Sequence, residues 1–363
     1  MARIRPILSC LLLAGTLALY GAPKVTADEP QHLRLSIRAL GMGNAFVAAA
    51  NDESSLFYNP AGLASVKRSM FEILSVNATL NQNLIDLSQA DSDESTAKMG
   101  EFVGEKLYVE AGTGLLSFTA PYWGYSFFNN LVLDQQVHNP TVPYFETLAY
   151  VQAGLIGGFA FTLWDQSLDV GVSMKYVQRA GIGKTVHIVD LLDDDFADNI
   201  QDEFVNTSRI SPDVGVTYHY DRFYNAFLSF SAVMKNIGGM DFGSTGTLPT
   251  TIDFGVASES EVLGVDVIGA VDLVDATYQA TEKKSFQRNL NMGMELGFWP
   301  RSNNHHALAL RFGRKGPYTT TGLSLNPPYL PFMIDYASWS EEVGAAAGAK
   351  EDKRTSVQIS FNF

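Results

Sequence analysis

From Ser69 onward, polar and apolar residues alternate with a period of two rather than 3.6. Phe71, Ile73, Ser75, Asn77 and Thr79 fall on one face of a strand, and Met70, Glu72, Leu74, Val76, Ala78 and Leu80 on the other. Counting 69–81, fourteen weakly alternating segments of about ten residues follow one another. The rest lie near 107–120, 123–136, 145–163, 167–179, 209–220, 225–236, 250–259, 264–274, 287–298, 305–313, 318–326, 330–338 and 355–363. An even number of such segments is what a closed single-chain barrel requires. The pattern predicts an all-β membrane protein, a 14-stranded antiparallel transmembrane β-barrel.

The connections have their own rhythm. Short turns such as Trp164-Asp165-Gln166, Asp221-Arg222-Phe223-Tyr224 and Asn326-Pro327-Pro328-Tyr329 alternate with long polar connections near 82–106, 180–208, 237–249, 275–286 and 339–354. Outer-membrane barrels put short turns on the periplasmic side and long loops outside. With the first strand running outward, every long connection falls outside; Arg314 to Pro317 is an outer loop that is short. Tyr122, Trp123, Tyr125, Phe127, Phe128, Trp164, Tyr176, Tyr218, Trp299 and Trp339 lie near strand ends, where interfacial girdles form. The last segment alternates and ends on Phe363, which resembles the terminal signal read by the barrel-assembly machinery.

The pattern before the first strand is different. Arg38 to Ala64, RALGMGNAFVAAANDESSLFYNPAGLA, opens with Gly41-Met42-Gly43 and continues through a small apolar run, Ala45 to Ala50, long enough for about three helical turns. It turns at Asn51-Asp52-Glu53. Ser54 or Ser55 starts a second short helical turn, which Asn59-Pro60 ends, because a residue before proline is disfavoured in the α region. So short and glycine-flanked a segment needs something to pack into.

Those residues resemble the N-terminal plug of the FadL superfamily of outer-membrane β-barrels. Val233-Met234-Lys235-Asn236-Ile237-Gly238, followed by Leu248-Pro249 and Asp253-Phe254-Gly255, resembles its PorV/PorQ-like branch. The resemblance runs from about Arg34 to Phe363. It implies an N-terminal luminal plug of short helices (28–66) inside a transmembrane barrel (67–363). It also implies one of two roles: passive uptake of a hydrophobic small molecule such as a long-chain fatty acid, or a non-transporting barrel docked to a secretion-machinery protein. On the first reading Ala45, Phe46, Val47, Leu56 and Phe57 offer an apolar patch to the lumen. Gly41 and Gly43 give the segment its freedom, and Asn59 and Pro60 turn it. FadL-type transporters use a kinked strand as a lateral opening, and Gly154, Gly157 and Gly158 form the candidate for it here.

Composition narrows the picture further. Residues 1–27 read as a secretory signal: Arg3 and Arg5, an apolar core from Ile7 to Tyr20, and Val25-Thr26-Ala27 before the expected cut. Cys10, the only cysteine, falls within that leader. The whole chain is 18% charged, below the quarter or so usual for soluble domains. Removing Arg3, Arg5 and Lys24 leaves 22 basic against 39 acidic residues, which excludes nucleic acid as a partner and leaves outer-membrane lipid. No P-loop, HExxH, GxSxG or CxxC motif is present, so no cofactor, metal or enzymatic activity is expected. Gly41-Met42-Gly43-Asn44-Ala45-Phe46 only begins like a dinucleotide fingerprint. His305-His306 on a strand would point to opposite faces. Asp190, Asp193-Asp194-Asp195, Asp198, Asp202 and Glu203 lack the order of a calcium loop and read as a solvated acidic loop.

Overall fold

In the computed structural model, residues 30–89, 104–138, 144–165, 167–187, 204–223, 226–280, 284–301 and 304–363 are described. The expected leader and the acidic run 190–203 lie outside them.

Fourteen long strands close into one antiparallel barrel. They are β1 (Met70–Asn81), β2 (Lys106–Ala120), β3 (Trp123–His138), β4 (Tyr144–Leu163), β5 (Leu168–His187), β6 (Val205–Phe223), β7 (Ala226–Lys235), β10 (Thr251–Val262), β11 (Val265–Leu273), β12 (Leu290–Pro300), β13 (His306–Lys315), β14 (Tyr318–Leu325), β15 (Phe332–Glu342) and β16 (Glu351–Asn362). Each pairs with its neighbour in the sequence, and β1 pairs with β16 to close the ring. β8 (Met240–Asp241) and β9 (Thr247–Leu248) form a small hairpin of their own between β7 and β10. All fourteen predicted segments are strands. The largest differences are at ends facing long connections, where β5 runs to His187 and β6 begins at Val205. The first long connection carries an unpredicted helix, Gln82–Gln89.

The barrel is inside-out relative to a soluble protein. Along β4, Val151, Leu155 and Phe159 are exposed on the outer wall, while Gln152, Ile156 and Ala160 between them are buried inward. The inner wall is largely polar, with Glu72, Glu110, Lys175, Asp213, Asp253, Glu295, Arg311 and Arg354 buried. Charges at that depth need partners. Lys175 Nζ lies 2.6 Å from Asp213 Oδ1, and Lys106 Nζ lies 2.7 Å from Asp134 Oδ2. Among the described residues no helix is long and apolar enough to cross a membrane.

Strand β1 corrects the simple alternation. Ser75, Asn77 and Thr79 face inward, but Ile73, predicted on their face, is exposed on the outer wall while Glu72 is buried. The register against β16 shifts between Glu72 and Leu74, and one extra residue reverses the face of everything before it. Two aromatics grouped with the girdle also turn inward. Phe128 is buried among luminal side chains, and Trp339 donates from Nε1 to Ser356 Oγ at 2.8 Å.

Residues 30–66 occupy the lumen. Only Ile37–Gly41 and Ser55–Tyr58 are α-helical, and Pro60–Ser65 forms a 3-10 turn. Asn59 caps that turn, accepting at Oδ1 from the Ala61 N–H at 3.0 Å. The expected helix over Ala45–Ala50 does not form. Gly43 and Asn44 take φ of 68° and 60°, which ends the first helix. The backbone beyond it bonds to the wall instead, with Val47 N–H donating to Asp272 Oδ2 at 2.7 Å.

Candidate luminal site

The luminal segment is seated mainly by its backbone, against wall glycines. Gly43 N–H donates to Thr320 Oγ1 at 2.8 Å, and Thr320 Oγ1 donates back to the Gly41 carbonyl at 3.0 Å. A Cβ on Gly313 would collide with the Gly43 nitrogen and the Met42 carbonyl carbon, and one on Gly293 with the Met42 carbonyl. The same complementarity recurs across the barrel, where Pro60-Ala61 lie against Gly171 and the Asn59 side chain against Gly215. Asn59 Nδ2 also donates to the Val47 carbonyl at 2.8 Å and to Thr217 Oγ1 at 3.1 Å. Gly41, Gly43, Asn59 and Pro60 are therefore points of contact with the wall, and Gly43 is additionally held at a positive φ that disfavours a side chain.

A buried ionic chain ties the segment to β12, β13 and β15. Arg38 grips Glu295 with two bonds, Nε to Oε2 at 2.8 Å and Nη2 to Oε1 at 2.7 Å, and holds Asp52 through Nη1 at 2.5 Å. Glu295 is shared with Arg311, whose Nε lies 2.6 Å from Oε2, and Arg311 reaches Asp335 at 3.4 Å. Burial alone would lower the Arg38 guanidinium, but Glu295 and Asp52 raise it well above its ordinary value. Burial would raise the Asp52 carboxyl, and Arg38 and His305 hold it below the usual range instead. Burial raises the Tyr58 phenol, which donates to Asn44 Oδ1 at 2.6 Å. At the short-turn end, His305 Nε2 stands 3.4 Å from Glu53 Oε2, and Asn304 Nδ2 donates to the carbonyls of Asn51 and Ser65. His306 instead pairs with Asp266 at 2.7 Å, so the two histidines part as their spacing implied.

The apolar residues of the segment fall into separate groups. Leu33, Leu56 and Leu63 pack with Phe128, Ile156, Ala160 and Val177 of β3–β5. Ala45 and Phe46 pack with Ala257, Ile268 and Ala270 of β10 and β11. Val47 is buried and Phe57 half-buried between the groups, Phe57 meeting Phe128 edge-on at 5.4 Å.

Sequence reasoning missed the second element in the lumen. The 236–250 connection folds inward, placing Met240, Phe242 and Leu248 in the Leu33–Leu56 group. Arg179 is stacked between Tyr150 and Phe242, 4.2 and 4.3 Å from the ring centroids, and donates to the Thr245 carbonyl and to Gln31 Oε1. Leu248, part of the resemblance quoted above, closes this hairpin by pairing with Met240.

At the candidate lateral opening, β4 is paired residue for residue with β3 and with β5 across Gly154 to Gly158, without a register shift. Gly154 and Gly158 face inward and make room for the Phe128 ring and the Leu56 side chain, while Gly157 faces out with space around it. The wall is least paired elsewhere. β14 and β15 share five residue pairs, Thr321–Leu325 with Ile334–Ser338, and above them Lys315–Glu341 and Tyr318–Glu342 side-chain contacts take over from the ladder.

The segment leaves small cavities against the wall. A cavity of about 30 Å³ lies between Arg34, Glu53, Glu72 and Phe57, and a second of about 30 Å³ beside Pro30, Arg288, Lys315 and Glu341. Each has room for water and none for a hydrocarbon.

The same architecture is found in solved barrels. The toluene transporter TbuX of Ralstonia pickettii superimposes with a TM-score of 0.50 at 11% identity, over 90% of this chain and 97% of that one. The Pseudomonas putida toluene transporter TodX gives 0.46 at 10% identity, over 93% and 99%. The fold is that of a FadL-like barrel. The family described as "F plasmid transfer operon, TraF, protein" matches residues 95–247, less than half of the chain. No curated protein matches it.

Proposed function

We propose that this protein is a FadL-superfamily barrel of the bacterial outer membrane that takes up small hydrophobic molecules, its luminal segment being the element that moves. One observation carries the reading. The wall behind Leu33, Leu56 and Leu63 is an apolar strip, Phe128, Ile156, Ala160 and Val177, on an inner wall that carries many buried charges. Displacing the segment leaves an apolar site of the kind that draws hydrocarbon out of water. The fold shared with toluene transporters supports the same class of cargo. Vesicles containing the protein should accumulate a labelled fatty acid or monoaromatic faster than empty vesicles. Uptake that is unchanged when residues 38–64 are deleted would remove the segment from the mechanism.

A second reading has its own support. Residues 30–66 and the 236–250 hairpin fill much of the described lumen, and the two cavities named above are water-sized, as suits a PorV/PorQ-like barrel that serves as a scaffold for envelope or secretion machinery. The partial match to a plasmid-transfer family favours that role over transport. Co-purification of a stoichiometric partner with a barrel that fails the uptake assay would decide for it.

Both readings place the long connections outside the cell, and the path of the chain makes this testable. Pro30 sits beside Arg288, Lys315 and Glu341 at the long-connection end, whereas Met70 starts β1 at the opposite end. The described chain thus enters the lumen from the long-connection end and reaches the wall at the short-turn end. Pro30→Cys should react with a membrane-impermeant maleimide on intact cells, and Leu263→Cys, on a short turn, only after the outer membrane is permeabilised. The reverse pattern would invert the topology.

A further inference from the structure

The ionic chain in the lumen is out of balance. Asp335, Arg311, Glu295, Arg38 and Asp52 form one run of contacts, and Glu53 and His305 adjoin it at the short-turn end. Four carboxylates face two guanidiniums. An imidazolium at His305 still leaves one net negative charge on a cluster whose members other than Glu53 are buried, where unpaired charge is unfavourable. Arg34 and Glu72, on the other side of the adjoining cavity, cancel each other and change nothing. A divalent cation with neutral imidazole brings the count to zero.

The geometry at that end suits one. Asp52, Glu53 and His305 each offer a ligand atom, and these atoms lie within 4.8 Å of one another. The His305 Nε2 to Glu53 Oε2 separation, 3.4 Å, is long for an ion-pair hydrogen bond. It is close to the ligand–ligand edge around a tetrahedral ion with bonds of about 2.0–2.1 Å. Asp52 is buried and fixed by Arg38 and by the Ser54 N–H, His305 is buried just before β13, and Glu53 is the partly exposed member, able to swing inward. The cavity beside Glu53 and Ser54 supplies water for a remaining position. One imidazole and two carboxylates are a donor set for Zn²⁺ or a neighbouring first-row ion rather than for Ca²⁺, which takes six or more oxygens.

We infer that Asp52, Glu53 and His305 form a binding site for a divalent transition metal of the Zn²⁺ type, which fastens the luminal segment to the wall at the start of β13. The ion joins residues 52 and 53 of the segment to residue 305 of the barrel. It therefore acts on the element that the proposed function requires to move, although the site exists whether or not the barrel transports.

The test uses the full-length protein, free of any histidine tag, in detergent, with ZnCl₂ as the only probe. Equilibrium dialysis should give one tightly held Zn²⁺ per chain in the wild type. Affinity should fall at least tenfold in Glu53→Gln and in His305→Gln, and be unchanged in His306→Gln, whose ring pairs with Asp266. Zn²⁺ should also slow tryptic cleavage at Arg34 and Arg38 in the wild type but not in His305→Gln. Absence of a stoichiometric site in the wild type, or wild-type affinity in a His305→Gln barrel that still shows β-rich circular dichroism, overturns the inference. Uptake is measured separately, so failure of the metal site and failure of transport are told apart.

Discussion

Replacing Arg38 by methionine should cost about 3–5 kcal/mol of stability, the range for leaving one side of a buried ion pair without its partner. The guanidinium serves Glu295 with two bonds and Asp52 with one, and all three side chains are almost completely buried. Arg311 remains beside Glu295 and compensates part of that loss, but nothing replaces Arg38 at Asp52 except His305. Lysine is a poor substitute, because one ammonium cannot reproduce a planar fork reaching two carboxylates. Removing charge on both sides should recover much of the stability, so Arg38→Met with Glu295→Gln and Asp52→Asn should lie nearer the wild type than Arg38→Met alone. Denaturant midpoints of the detergent-solubilised protein measure both. A single variant with wild-type stability would show that the segment is held without this ionic chain.

The second large effect is steric. Gly313→Val places branched carbon where the Met42–Gly43 peptide passes, and that backbone, unlike a flexible side chain, cannot swing aside. Overpacking in a rigid core costs roughly 1–3 kcal/mol when neighbours can shift. Here the simplest relief is for residues 38–50 to leave their seat while the barrel, closed by its own ladders, stays intact. Trypsin should then cut at Arg34 and Arg38 much faster than in the wild type under the same metal-free conditions. Gly157→Ala, on the outer face with room for a methyl group, should remain protected. Protection persisting in Gly313→Val would mean the seat is softer than its geometry implies.

These two sites differ in how visible they were before the fold was known. The barrel was legible because a period of two is a local property: each strand announces its own alternation, and loop lengths announce its direction. Where one residue is added, as between Glu72 and Leu74, the local rule fails and Ile73 changes sides. The segment itself was legible as a motif and misread as a helix over Ala45–Ala50, since small apolar residues favour helix only until wall groups such as Asp272 and Thr320 compete for the same N–H donors. The seat was not legible at all. Gly171, Gly215, Gly293 and Gly313 stand on four different strands, and only closure of the barrel brings them to one surface. The same holds for Arg38 and Glu295, 257 positions apart. Gly154 and Gly158, the most conspicuous glycines in the sequence, turned out to accommodate neighbouring side chains inside an unbroken strand.

A fourteen-stranded wall encloses more space than its own side chains fill, and barrels only slightly larger are open pores. Whether residues 30–66 are what closes this one can be read electrically. Reconstituted into a planar bilayer at neutral pH, the wild-type protein should be electrically silent or nearly so, and the same chain lacking residues 38–64 should conduct in large, stable steps. Equal conductance of the two, whether both open or both closed, would contradict the account.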